Sequence, residues 1–180
     1  MNAFCTAFTR TMKHEGPGKL TNNKLDPGGM TYSGISRVHW PDWEGWTLVD
    51  MGRLKEAYPM VLNFYRTNFW YRIQGEEISK SSVEIACEIF DTAVNASVYK
   101  ASKILQETLN LLNRNEEEYK DLIVDGKIGP VTLIALQMSL HSNPENRILK
   151  VLNNLQGEHY ITLMRKHPER EEFRGWFDRV

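Results

Sequence analysis

The chain has 180 residues, 41% hydrophobic and 25% charged, with a formal net charge of −1. That is one ordinary globular unit, long enough to bury a core without staples, and its near-neutral balance excludes a strong basic field for nucleic acid. Two cysteines, Cys5 and Cys87, lie in apolar helical patterns; buried thiols are the favoured reading, with a disulfide left open.

The dominant pattern is helical. Phe4, Ala7, Phe8, Thr11 and Met12 follow the stripe of an amphipathic helix, which Gly16-Pro17-Gly18 ends. Residues 19–48 are rich in Gly, Pro, Asn and Asp, with one extended candidate at Met30–Ile35, so a loop and a small β-hairpin are expected. Asp50 is placed as the cap of a helix carrying Leu54, Ala57 and Tyr58, and Pro59 as the first residue of the next, which carries Leu62, Tyr65, Phe69 and Trp70. Ser81-Ser82-Val83-Glu84 has the form of a capping box, opening a helix that buries Val83, Ala86, Cys87, Phe90, Val94 and Val98.

A further helix carries Ala101, Ile104, Leu105, Thr108, Leu109 and Leu112. Asn113 to Asp121 is polar and reads as a surface loop, and IVDGKIGPVTLIAL as a turn feeding a short helix. Asn143 or Pro144 opens a long last helix, before the tail FRGWFDRV. The expected class is mainly α. The first sixteen residues lack the apolar core and basic start of a signal peptide, and no apolar run suits a membrane span. The expectation is a cytoplasmic protein with no stable membrane insertion.

Glu15 draws notice by its position. At about 100° per residue it falls about 20° from Phe4, on the apolar face, and at a helix C-terminus, where the dipole disfavours a carboxylate. Desolvation and the dipole both favour the protonated form that a general acid needs. A frayed last turn reaching solvent is the alternative. Asp26, in Asp26-Pro27-Gly28-Gly29, is a turn residue on one reading and a second carboxylate on the other. Thr31 is a strand residue or a third polar member of such a site. Glycosidic hydrolysis uses these parts, an acid on one side of the bond and a second carboxylate on the other.

Six stretches in order give a resemblance: HEGPG, DPGGMTYSGIS, YRTNFWYRI, IFDTAVNAS, then ILQETLN with VDGKIGPVTLIAL, and FRGWFDRV. They resemble the N-acetylmuramidases of glycoside hydrolase family 108, lysozyme-like enzymes of bacteria and phages, with their peptidoglycan-binding segment. The resemblance implies a lysozyme-like core over residues 1–98, with a helical peptidoglycan-binding segment, 99–180, packed on it as one compact unit. It implies cleavage of the β-1,4 bond between N-acetylmuramic acid and N-acetylglucosamine, with Glu15 as general acid and Asp26 and Thr31 positioning water or sugar. It also implies an endolysin released to the wall through a holin. Peptidoglycan glycan strands are the expected partner of a monomer.

Two departures concern backbone: Pro17 replaces the second glycine of the family's Glu-Gly-Gly, and Ala96-Ser97 lacks the glycine that follows Val-Asn. Asn95 shares a helix face with Asp91 and reads equally as structural or as groove-lining. Among the aromatics, Tyr32 is placed nearest the substrate, and Trp43, in WPDWEGW, on a cleft wall; core packing is the alternative for each. Asp125-Gly126-Lys127 reads as a fold-defining turn. The histidines lack zinc-ligand spacing, so neither metal nor cofactor is expected. Two rival activities remain, a lytic transglycosylase on the same bond and a non-catalytic wall-binding or secretion-associated protein.

Overall fold

The structure is a computed structural model that describes residues 2–15, 18–22, 29–169, 175 and 177, with the backbone alone at 14 and 15. Among the described residues it has eight α-helices and one small antiparallel sheet, the mainly α, lysozyme-like architecture expected.

Helix α1 (Ala3–Glu15) buries Phe4, Ala7, Phe8, Thr11 and Met12. It packs on α5 (Val83–Asn95), the central helix. The rings of Phe4, Trp70 and Phe90 meet pairwise at 5.8 to 6.0 Å. Arg66 lies 4.5 Å over the Phe4 ring, a cation–π contact that seats the family-like Tyr-Arg segment on α1.

After α1 come β1 (Leu20–Asn22), β2 (Met30–Tyr32) and β3 (Ile35–Ser36), paired in the order β1-β2-β3 with Thr21 opposite Thr31 and Thr31 opposite Ser36. Alternation along β2 sends Tyr32 into the core and Thr31 to the other face. Helix α2 (Trp46–Asp50) comes next, then α3 (Leu54–Tyr65), which continues into a π-helical turn at Arg66–Trp70.

Three helix boundaries differ from expectation. Asp50 ends α2 rather than capping α3, and its carboxylate takes a forked bond from Arg37 at 2.6 and 2.8 Å. Pro59 lies inside α3 and starts no new helix. Its ring faces solvent, which tolerates the missing N–H bond. The cap of α5 is Ser82, whose hydroxyl accepts from the Ile85 N–H at 3.0 Å. Glu84 completes no capping box; it pairs with Arg10 of α1 at 2.5 and 3.0 Å. Val83 is exposed, and α5 instead buries Ile85, Ala86, Cys87, Ile89, Phe90 and Ala93.

Helix α4 (Gly75–Ser81) precedes α5; α6 (Val98–Leu112), α7 (Pro130–Ser142) and α8 (Glu145–Lys166) come after it. Helix α5 packs on α6 and α8 as well as α1. Residues 113–121 form a largely exposed loop, as expected, but Asn113 at its start is buried: its amide donates to the Tyr119 carbonyl and to Asp121, while its oxygen accepts from the N–H groups of Glu118 and Tyr119. One side chain thus folds the whole 113–121 loop around itself. Both cysteines are free thiols, Cys87 buried and Cys5 partly so. Among the described residues no helix is long and apolar enough to cross a membrane. The tail lies outside the described residues except for Gly175 and Phe177.

Candidate active site

Residue 15 is the last of α1, whose described part buries Phe4, Phe8 and Met12; its side chain lies outside the described residues, as does Asp26 entirely. The chain just beyond α1 is anchored to the hairpin. The Gly18 N–H donates to the Ser33 hydroxyl at 2.9 Å, the Ser33 N–H donates to the Lys19 carbonyl at 2.9 Å, and the Tyr65 hydroxyl donates to the Ser33 carbonyl at 3.0 Å. Three residues span at most about 11 Å, so the end of α1 is held that close to the turn after β2. Ser33 is fully buried with φ 48°. Read from sequence as an ordinary strand residue, it is the clamp between helix and hairpin.

Thr31 is two residues from that clamp and half-buried. Its hydroxyl donates weakly to the Gly29 carbonyl at 3.4 Å, and its own carbonyl accepts from the Thr21 hydroxyl at 3.5 Å. Long bonds of this kind leave the hydroxyl able to turn toward a better partner. Thr31 thus lies two residues from the point where the chain after α1 is held.

Tyr32 lies elsewhere than the substrate face. It is 1% exposed, its hydroxyl donates to the Leu54 carbonyl at 2.8 Å, and burial pushes its pKa up. Its ring stacks on Trp43 at 6.3 Å with planes 23° apart. Trp43 in turn meets Trp46 edge-on at 5.2 Å. Gly45 makes this possible, because a Cβ there would stand 2.3 Å from the Trp43 ring. Tyr32 thus supports Trp43 from beneath.

Trp43 lines a groove of about 570 Å³ together with Trp40, Asp42, Asn63, Phe64 and Asn68. Trp40 stands 37% exposed, edge-on to Phe64 at 4.8 Å. The WPDWEGW stretch lines one side of this groove with aromatic faces, and α3 and the π-helical turn add the amides of Asn63 and Asn68. Asn95 is not brought to it: its amide donates to the Asp91 carbonyl at 2.9 Å and to the Asp91 carboxylate at 3.1 Å within α5.

One carboxylate escaped the sequence reading. Glu88 of α5 has an oxygen sealed from water with no hydrogen-bond partner. Burial, then the nearby Asp91, push its pKa up to about 7. The signal was legible, since Glu88 interrupts an otherwise apolar run from Ile85 to Phe90. Among the described residues no three His, Cys, Asp or Glu side chains gather where they could hold a metal.

Residues 8–96 match the family model described as glycosyl hydrolase 108, and residues 100–180 the one described as "Predicted Peptidoglycan domain". The chain thus carries a glycosyl hydrolase 108 domain followed by a peptidoglycan domain. This pairing supports peptidoglycan hydrolysis in general, with peptidoglycan as the partner. No curated protein matches the chain. Its fold is similar to that of a solved structure, SagA of Brucella abortus, at a TM-score of 0.68 and 22% identity, covering 98% of this chain and 88% of that one.

Proposed function

We propose that the protein is an N-acetylmuramidase, cleaving the β-1,4 bond between N-acetylmuramic acid and N-acetylglucosamine. Glu15 donates its proton to the glycosidic oxygen as the bond from that oxygen to the anomeric carbon breaks. Water attacks the anomeric carbon, oriented by Asp26 and Thr31, and gives up its proton to Asp26. In that arrangement the two carboxyls stand roughly 6.5–9.5 Å apart and the reaction inverts; a separation of about 5 Å belongs to the retaining route.

The observation that carries this reading is the bond between Gly18 and Ser33. It supports a fixed relation between the end of α1 and the strand that holds Thr31, and catalysis needs groups held in place. Trp43 and Trp40 suit a sugar platform, since pyranose faces pack on aromatic rings.

The test is to incubate the protein and its Glu15→Gln variant with purified peptidoglycan and weigh the soluble fragments. Fragments that have gained water and end in reducing muramic acid are expected from the native protein. The variant should release none at an unchanged melting temperature. Anhydro-muramic ends would instead identify a transglycosylase, and release that survives the substitution would remove Glu15 from the reaction.

A further inference from the structure

Helix α7 is apolar on every side. Thr132, Ala135, Leu136 and Ser139 are buried, yet Val131 is 70%, Ile134 55% and Met138 38% exposed. Over Ile134 and Met138 lies a hollow of about 470 Å³, bordered by Gln137, His141, Ser142 and, from the preceding loop, Glu118.

Glu118 is the feature that singles this hollow out. Its side chain is only 10% exposed, and both carboxylate oxygens are sealed from water with no hydrogen-bond partner. A carboxylate so placed forfeits its hydration without replacement, which is costly unless a cation with N–H donors completes it. Its placement is built in. The Glu118 N–H is held by Asn113, and Arg114, Asn115 and Glu116 all take positive φ to carry the loop round. Arg114 is the cation near it among the described residues, its Nε 3.7 Å from the carboxylate, too far for a hydrogen bond. Arg114 is 63% exposed and also faces Glu117 at 3.3 Å, so it is a displaceable cover.

The remaining walls define the rest of a ligand. Ile134 and Met138 suit a short methylene chain. His141 Nδ1 bonds the Gln137 carbonyl at 2.9 Å, so that nitrogen carries the proton and the other, in the neutral ring, accepts. A second hollow of about 270 Å³ shares Gln137 and His141 and reaches Ser81 at the end of α4, leaving room for a longer chain.

We propose that the hollow beside Glu118 binds the ammonium-tipped side chain of the diamino acid in the peptidoglycan stem peptide, its methylenes on Ile134 and Met138 and its ammonium on Glu118. The proposal rests on peptidoglycan as partner, though not on which bond the enzyme cuts. Lysine and diaminopimelate share this chemistry; the latter adds a carboxylate, for which Arg114 is at hand.

The test is calorimetric titration of the full chain with three soluble tripeptides: L-Ala-γ-D-Glu-L-Lys, the same peptide acetylated on the lysine side chain, and its meso-diaminopimelate counterpart. Binding of at least one free-amine peptide is expected. Acetylation or Glu118→Gln should weaken it by about tenfold or more, the scale of a charge-assisted hydrogen bond. Ile134→Lys, on the exposed face, should also remove binding by supplying a rival ammonium, and it guards against a Glu118 variant that misfolds. Tighter binding of diaminopimelate assigns Arg114 to its carboxylate; tighter binding of lysine leaves Arg114 as the cover alone. Equal affinity for the acetylated and free lysine peptides, or no binding of any, overturns the proposal. Peptide binding without glycan cleavage would end the muramidase reading and leave this one standing.

Discussion

The backbone N–H of Gly18 donates to the hydroxyl of Ser33 across fifteen residues of chain, at 2.9 Å. The bond ties the chain at Gly18 to the hairpin. Ser33→Ala should therefore cost stability of about 1 kcal/mol, as for one buried hydrogen bond. Its effect on glycan cleavage should exceed what that loss explains, because the end of α1 is no longer held to β2. Urea midpoints and initial rates on the same preparations check this; a rate unchanged beside a lowered midpoint would make the bond merely structural.

Ser97 occupies a conformation that suits glycine. Its φ of 146° and ψ of 158° lie in a region that side chains rarely enter, at a cost of order 1–3 kcal/mol. The family's glycine after Val-Asn falls here. Ser97 also caps α6, accepting from the Lys100 N–H at 3.2 Å, but a glycine cap loses only a few tenths of a kcal/mol. Ser97→Gly should raise stability by about 1–2 kcal/mol, read as a higher thermal midpoint with hydrolysis unaltered.

Glu88 gives stability a pH dependence. Its folded pKa, about 7, lies above its ordinary value of 4.5, so between those values the folded state holds a proton that the unfolded state has lost. Stability from this group is full below pH 4.5 and declines as pH rises to about 7. Glu88→Gln should remove the decline, stabilising the protein at pH 8 by on the order of 1–3 kcal/mol and leaving it nearly unchanged at pH 4. Asp91, on the same helix, adds repulsion to the effect of burial. Denaturation midpoints of both proteins across pH 4 to 8 check the sign.

Gln106 is a second single-residue anchor. Its buried amide donates to Asp125 at 2.8 Å and to the Lys127 carbonyl at 3.1 Å, and accepts from the Gly126 N–H at 2.9 Å. Gly126 is required for φ 75°, and a Cβ there would meet Tyr99 at 2.3 Å. Gln106→Ala should cost about 2–4 kcal/mol, three bonds being lost together, and Gln106→Glu should cost more by facing Asp125 with a like charge. Chemical denaturation of the two variants gives the order.

The sequence carried most of the frame. The stripe from Phe4 to Met12 fixed α1, because helical period and burial coincide there, and the Asp125-Gly126-Lys127 turn was read as structural, as its bonds to Gln106 require. The boundaries at Asp50 and Ser82 differ from local propensity because tertiary contacts override it, and the one at Pro59 because a solvent-facing ring lets α3 run through it. Asp50 and Glu84 were both drawn off as partners for distant arginines, Arg37 and Arg10, which no local pattern reveals. Tyr32 lies inside because the distant Leu54 carbonyl satisfies its hydroxyl, and Asn113 because its own loop supplies the partners for its amide. Ser33, Glu88 and Glu118 were missed since their character comes from what surrounds them.

Helix α5 gives one face to α1 and others to α6 and α8, and only Ala96 and Ser97 stand between it and α6. The two segments matched in sequence therefore share packing along α5. A tethered binding module samples a cloud of positions set by its linker; here a caliper replaces the tether, its jaws fixed by shared packing. Wall material gripped on the α7 side would meet the cleft at one set spacing, so the protein would choose where along a strand it cuts as well as which bond. Grafting the second half onto another enzyme would carry the grip but lose the ruler, since the spacing depends on packing against α5.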